Sequence, residues 1–133
     1  KPLFENNNGQ IILKTTSEIY LNADYNRLKQ VFINLLKNTI EAKKDQENLL
    51  VEIKIKTTPT KIKIIIEDNG IGMSKENLNH LYEIFYTTKQ TGTGLGVVYS
   101  KEVIELHGGT IKYESKLNKG TKVFIDIPKE QPI

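Results

Sequence analysis

The 133-residue chain contains no cysteine. Disulfides and thiolate metal sites are therefore excluded, which suits a reducing compartment. No apolar run approaches the roughly 20 residues of a bilayer-spanning helix. The opening KPLFENNNGQ lacks the apolar core of a secretory leader. Excess charge of one sign is also scarce: 19 Lys and Arg against 16 Asp and Glu leave a net +3. The lysines are scattered among acids, so the surface reads as solvated rather than as a nucleic-acid interface. There are only two histidines. His107 falls in the last turn of a helical pattern, where a cation or donor is favourable. His80 lies among polar neighbours, and neither has a partner at metal-ligand or triad spacing. What remains is a soluble globular composition, 38% apolar and 26% charged. It is long enough for one domain over 1–133 with a real core. The chain starts within what reads as a connection, so a portion excised from a longer protein is expected.

The patterning divides cleanly. GQIILKT and EIYLNA read as two short strands joined by a Thr-Ser turn. ADYNRLKQVFINLLKNTIEAKKD carries Leu28, Val31, Phe32, Leu35, Leu36 and Thr39 at helical spacing, with Asp24 as cap. LLVEIKIKT and KIKIIIED alternate with period two and should form a hairpin across TPT; Ile65 is expected to be covered on the other face. SKENLNHLYEIF predicts a short helix capped by Ser74. LGVVYSKEVIELHGG predicts a second long helix that stops at Gly108 in a left-handed cap. TIKYESK and TKVFIDIP close the chain as a hairpin around LNKG. Elements clustered by type indicate an α+β two-layer sandwich.

Three segments carry chemistry. Asn34 and Asn38, four apart, share a helix face at the rim of the apolar stripe. Either their amides cap nearby backbone, or an amide oxygen serves a hard cation such as Mg²⁺, which is usually shared with phosphates. EDNGIGMS leaves a strand through an acid and two glycines. Asp68 can accept the exocyclic amino group of adenine, with Gly70 and Gly72 letting the base approach and Ile71 or Met73 lining the pocket. A plain Asp-Asn-Gly turn is the competing reading, while a calcium loop lacks its further acids. TGTGLG, Thr91–Gly96, opens the second long helix and would expose N–H groups at its positive end. It is neither a Walker A loop nor the dinucleotide fingerprint. A flexible linker is the alternative there, and Lys89 is either a phosphate contact or a solvated lysine.

Taken in order, NLLKNTIEA, DNGIG, LYEIFYTTK, GTGLG and KGTKVFIDIP resemble the catalytic and ATP-binding domain of sensor histidine kinases. They are similar to that family's N, G1, F and G2 boxes and its terminal Gly-Thr, over about residues 10–128. NTIEA and FYTTK read most like sporulation-type or nitrogen-regulation-type members. The resemblance implies the sandwich shared with gyrase, mismatch-repair and heat-shock chaperone ATPases. It has a mixed, mostly antiparallel sheet covered on one face by about three helices, with a mobile ATP lid.

By position, the resemblance implies ATP and Mg²⁺ as ligands, with Asn38 holding the metal and Asn34 a phosphate-side neighbour. Asp68 takes adenine beside Gly70, Gly72 and Met73, and Thr121 touches adenine through water. Phe85 and Tyr86 sit at the base of the lid, and Lys89, Gly92, Thr93, Gly94, Leu95 and Gly96 cover the phosphates. Thr39 stands where alanine is usual, Ile84 where proline is common, and Glu41 and Ala42 where many members have lysine and an aromatic. In the related ATPases an acid stands four residues before the magnesium asparagine and activates water. Asn34 cannot act as a base, so slow hydrolysis is expected, and rival readings as such an ATPase or as an anti-sigma serine kinase are disfavoured. The phosphoacceptor histidine is absent, since His80 precedes Leu81 and His107 precedes Gly108, so an upstream dimerisation domain is implied. The implied partners are that domain and a response-regulator receiver. The fragment is expected to be monomeric and cytoplasmic, and the whole protein a homodimer that can be membrane-anchored.

Overall fold

A computed structural model of the chain describes residues 9–14, 23–43, 48–83 and 96–130. The elements are β1 (Gly9–Lys14), α1 (Tyr25–Glu41), β2 (Leu49–Thr57), β3 (Lys61–Asp68), α2 (Lys75–Asn79), α3 (Gly96–Leu106), β4 (Thr110–Lys116) and β5 (Gly120–Pro128). They build one five-stranded sheet in the order β1-β2-β3-β5-β4. β1 joins β2 in parallel across the α1 connection, and the other pairs are antiparallel. The expected α+β sandwich with a mixed, mostly antiparallel sheet is what forms.

Period-two alternation places one row of side chains from each strand under the helices. Ile55, Ile64, Ile125 and Ile111 stand opposite one another across β2, β3, β5 and β4. Ile53, Ile66, Val123 and Tyr113 form the next row. Ile64, Ile66, Ile111, Val123 and Ile125 are buried, each contributing about 1.5–3 kcal/mol of apolar burial. Leu28, Val31 and Leu35 of α1, with Val103 and Ile104 of α3, complete that core. On the opposite face Ile65 pairs with Phe124, and both are half-buried.

The two long helices run antiparallel, fixed at one end by His107. Its Nδ1 lies 2.8 Å from the Val103 carbonyl and so donates. Its Nε2 accepts the Asp24 backbone N–H at 3.1 Å. One ring nitrogen donates and the other accepts, which describes a neutral imidazole. His107 is thus a donor as expected, but its second nitrogen binds as an acceptor, not as part of a cation. Asp24 also caps α1 through the Arg27 N–H. Past α3, Gly108 adopts φ 77°. Gly108 N–H reaches the Glu105 carbonyl and Gly109 N–H the Ile104 carbonyl, both at 2.9 Å. These are the paired bonds of a Schellman end, as the Gly-Gly signal predicts.

Two boundaries differ from expectation. α1 stops at Glu41 rather than continuing through the lysines, because the Ala42 carbonyl is taken by the Ile71 N–H at 2.7 Å. The helix from Ser74 is a single turn and a half, Lys75–Asn79, followed by i to i−3 turns through Glu83. It fully buries no side chain, so little apolar burial favours a longer helix beyond its Ser74 cap. The expected strand over EIYLNA falls mainly outside the described residues.

Candidate functional site

The apolar rows of the sheet end in a polar one. Val51, Asp68, Thr121 and Ser115 face one another across β2, β3, β5 and β4 in the row after Ile53, Ile66, Val123 and Tyr113. Directly opposed residues share a face, so Asp68, Thr121 and Ser115 stand together on the helix-covered side. A row that would otherwise extend the core presents a carboxylate and two hydroxyls.

Asp68 is buried, with 7% of its surface exposed. Its Oδ1 accepts the Gly70 N–H at 2.8 Å, and the Thr121 backbone N–H also hydrogen-bonds the carboxylate. Burial pushes its pKa above the ordinary carboxylate value, the two N–H bonds pull it back in part, and nearby Glu67 adds a smaller upward push. The group is an acceptor held at the edge of the core with little water to solvate it.

The chain leaving Asp68 is pinned on three sides. Asn69 extends the β2 pairing with its side chain, accepting from Leu50 N–H at 2.8 Å and donating to the Asn48 carbonyl at 3.1 Å. Ile71 donates to Ala42 at the end of α1 and accepts from Asn118 in the β4–β5 turn. Met73 N–H donates to Ser115 Oγ at 2.7 Å. The glycines between these anchors serve the protein's own close approaches. A Cβ on Gly70 would collide with the Ala42 carbonyl, and one on Gly72, at φ +68°, with the Lys116 carbonyl. Their lack of a side chain therefore admits backbone, where the sequence suggested room for a flat ligand. Of the two apolar residues expected to line a pocket, Ile71 is 45% exposed while Met73 is half-buried. Gly120, at φ +101°, likewise makes room for the Asp68 carbonyl and starts the strand that presents Thr121.

Asn38 sits one turn before the α1 end that docks on Gly70 and Ile71, its carbonyl accepting from Ala42 N–H at 3.1 Å. Asn34, a further turn back, accepts from Gln30 Nε2 at 2.9 Å. A Cβ built on Gly96 would lie 4.0 Å from the Asn34 amide. The N-terminus of α3 and Asn34 are therefore neighbours, which joins the positive end of a helix to the asparagine face. Thr39, the residue after Asn38, is buried and donates its hydroxyl to the Leu36 carbonyl at 2.7 Å, so its hydroxyl is paired. Phe85, Tyr86, Lys89, Gly92, Thr93, Gly94 and Leu95, and with them the expected mobile lid, lie outside the described residues. His80 pairs with Glu83.

The sequence reading missed Ser115 and Asn69. Asn69 was visible as the middle of an Asp-Asn-Gly turn. Ser115 had no local signal, because its partners come from 42 residues before it and from the strand after it.

A polar row at the end of the sheet, the buried Asp68 acceptor and the α3 N-terminus beside Asn34 make up the candidate site of this two-layer sandwich. The comparisons agree. Residues 23–131 match the family described as histidine kinase-, DNA gyrase B-, and HSP90-like ATPase. The chain is 48% identical over 106 residues to sporulation kinase E of Bacillus subtilis (strain 168), covering 80% of this chain and 14% of that protein. It is 41% identical over 128 residues to sporulation kinase A of the same organism, covering 94% and 21%. The nucleotide-free catalytic domain of histidine kinase ThkA superposes with a TM-score of 0.83 at 33% identity, over 96% of this chain and 84% of that one. The chain belongs to this ATPase family and, within it, to the ATP-binding catalytic domains of sensor histidine kinases. It spans between about a seventh and a fifth of the length of those two sporulation kinases.

Proposed function

We propose that this domain binds Mg-ATP and donates the γ-phosphate to a histidine on a separate dimerisation domain of the whole protein. That histidine would then pass the phosphate to the aspartate of a response-regulator receiver. The observation that carries the reading is the polar row, in which buried Asp68 stands beside Thr121 at the end of an otherwise apolar sheet face. Asp68 accepts the adenine amino group, Thr121 and Met73 flank the base, and Gly70 and Gly72 keep the Asp68 exit packed against α1 and the β4–β5 hairpin. Asn34 and the Gly96 N–H at the start of α3 face the phosphates, and by the family resemblance Lys89, Gly92, Thr93, Gly94 and Leu95 would add phosphate contacts.

The donor set suits magnesium. Among the described residues no group of three His, Cys, Asp or Glu side chains is gathered for a metal. A single amide oxygen from Asn38 plus phosphate oxygens and water matches the way Mg²⁺ is commonly held. Bound there, the metal would neutralise phosphate charge. The protein's own part is positioning, since phosphoryl transfer needs alignment and charge neutralisation more than covalent help. Asn34 brings an amide where water activation would need a base, which favours transfer over hydrolysis. The domain is expected to be monomeric alone and the whole protein homodimeric and free of nucleic acid. Among the described residues no helix is long and apolar enough to cross a membrane, and any anchor would belong to the rest of the protein, with this domain in the cytoplasm.

The test mixes the domain with a dimerisation domain carrying the acceptor histidine and with labelled ATP. Acid-labile, base-stable label on the partner is expected, with little phosphate release from the domain alone. Steady hydrolysis by the domain alone, with no labelled partner, would overturn the proposal in favour of an ATPase.

A further inference from the structure

We propose that Ser115 is a specificity-positioning residue that fixes the hydrogen-bond direction of Thr121 and so makes this end of the site select an amino-bearing base over a 6-oxo base. The inference rests on the nucleotide reading above and deepens it. Ser115 Oγ has three partners: the Met73 N–H at 2.7 Å, the Gly120 carbonyl at 2.9 Å and Thr121 Oγ1 at 2.9 Å. A hydroxyl has one proton and two acceptor sites. Met73 can only donate and the Gly120 carbonyl can only accept, so the Ser115 proton goes to Gly120. If it went to Thr121 instead, two oxygens without a proton between them would face each other at 2.9 Å. The remaining bond therefore runs from the Thr121 hydroxyl to Ser115, and all three of the Ser115 positions are satisfied.

Thr121 has then spent its only proton and can only accept from a ligand. Asp68, directly opposite on β3, is an acceptor when ionised. The Gly70 N–H beside it is already given to the carboxylate. The pair thus presents acceptors side by side, which complements the two N–H bonds of an exocyclic amine and opposes a carbonyl oxygen. A site built of acceptors discriminates strongly when the ligand's donor is replaced by an acceptor, because buried acceptors are left facing a like partner.

The experiment measures affinity for ATP and for inosine triphosphate, which replaces the 6-amino group by an oxygen, by calorimetry on the wild type and on Ser115→Ala, Ser115→Thr and Thr121→Val. Ser115→Ala frees the Thr121 proton, so the ATP-to-ITP affinity ratio should fall about fivefold. Ser115→Thr keeps the hydroxyl and should keep the ratio. Thr121→Val removes the acceptor and should lower the ratio as Ser115→Ala does, and it decides the matter if the alanine variant does not fold. A ratio unchanged in both Ser115→Ala and Thr121→Val, with both nucleotides weakened alike, would make Ser115 a simple tether for Met73 and overturn the inference. Failure of the wild type to bind ATP would instead overturn the nucleotide assignment itself.

Discussion

Asp68 is under two opposed demands. Ligand binding asks for an ionised acceptor, while the apolar rows beneath it disfavour charge. Burial dominates and raises its pKa, so the folded domain holds the Asp68 proton more tightly than the unfolded chain does. The stability this contributes is fully present below the unfolded value and is lost as pH rises through the folded value. At neutral pH the ionised carboxylate therefore costs stability, and Asp68→Asn should raise the melting temperature of the ligand-free domain. The gain should shrink as pH falls through the raised folded value, which melting curves across pH 4 to 8 would show. A melting temperature lowered by the substitution at neutral pH would contradict this. Nucleotide affinity in the wild type should weaken on acidification earlier than an ordinary carboxylate would allow. At this scale Asp68 was legible from its place at a strand end, and Asn34 and Asn38 from their spacing. The reason for the glycines was not, because the carbonyls of Ala42 and Lys116 that need the space are brought there only by tertiary packing.

The elements hold the site through their ends. His107 joins the close of α3 to the start of α1, and the Ala42 carbonyl joins the close of α1 to Ile71. His107→Ala leaves the Asp24 N–H and the Val103 carbonyl without their side-chain partner in a site that is only 6% exposed. It should cost about 1–3 kcal/mol in a urea melt, with nucleotide binding to the folded fraction retained. Gly72→Ala combines a left-handed backbone with a collision at Lys116 and should destabilise by about 2 kcal/mol or more. Wild-type stability in either variant would show that the end contacts do not matter. The hairpins, the Asp24 and Ser74 caps and the Gly108 stop were legible because each is written in neighbouring residues. The early ends of α1 and α2 were not, since one is set by a hydrogen bond from Ile71 and the other by the absence of a buried face.

Across the whole molecule, one sheet face carries both core and site. Isoleucine and valine fill successive rows under α1 and α3, and the row at the end exchanges apolar side chains for Asp68, Thr121 and Ser115. Alternation made the rows foreseeable, but the alignment that places Asp68 opposite Thr121, 53 positions away, belongs to the sheet order and not to any local pattern. Because ligand would bind only the folded state, saturating Mg-ATP should raise the melting temperature, by an amount that grows with nucleotide concentration, and EDTA should remove most of that rise if Asn38 acts through the metal. The most direct measurement is a calorimetric titration of Mg-ATP into the wild type and Asp68→Asn, with both confirmed folded by circular dichroism. Loss of one charge-assisted hydrogen bond predicts weaker binding by about 1.5–3 kcal/mol; equal affinity in the two proteins would place the base elsewhere.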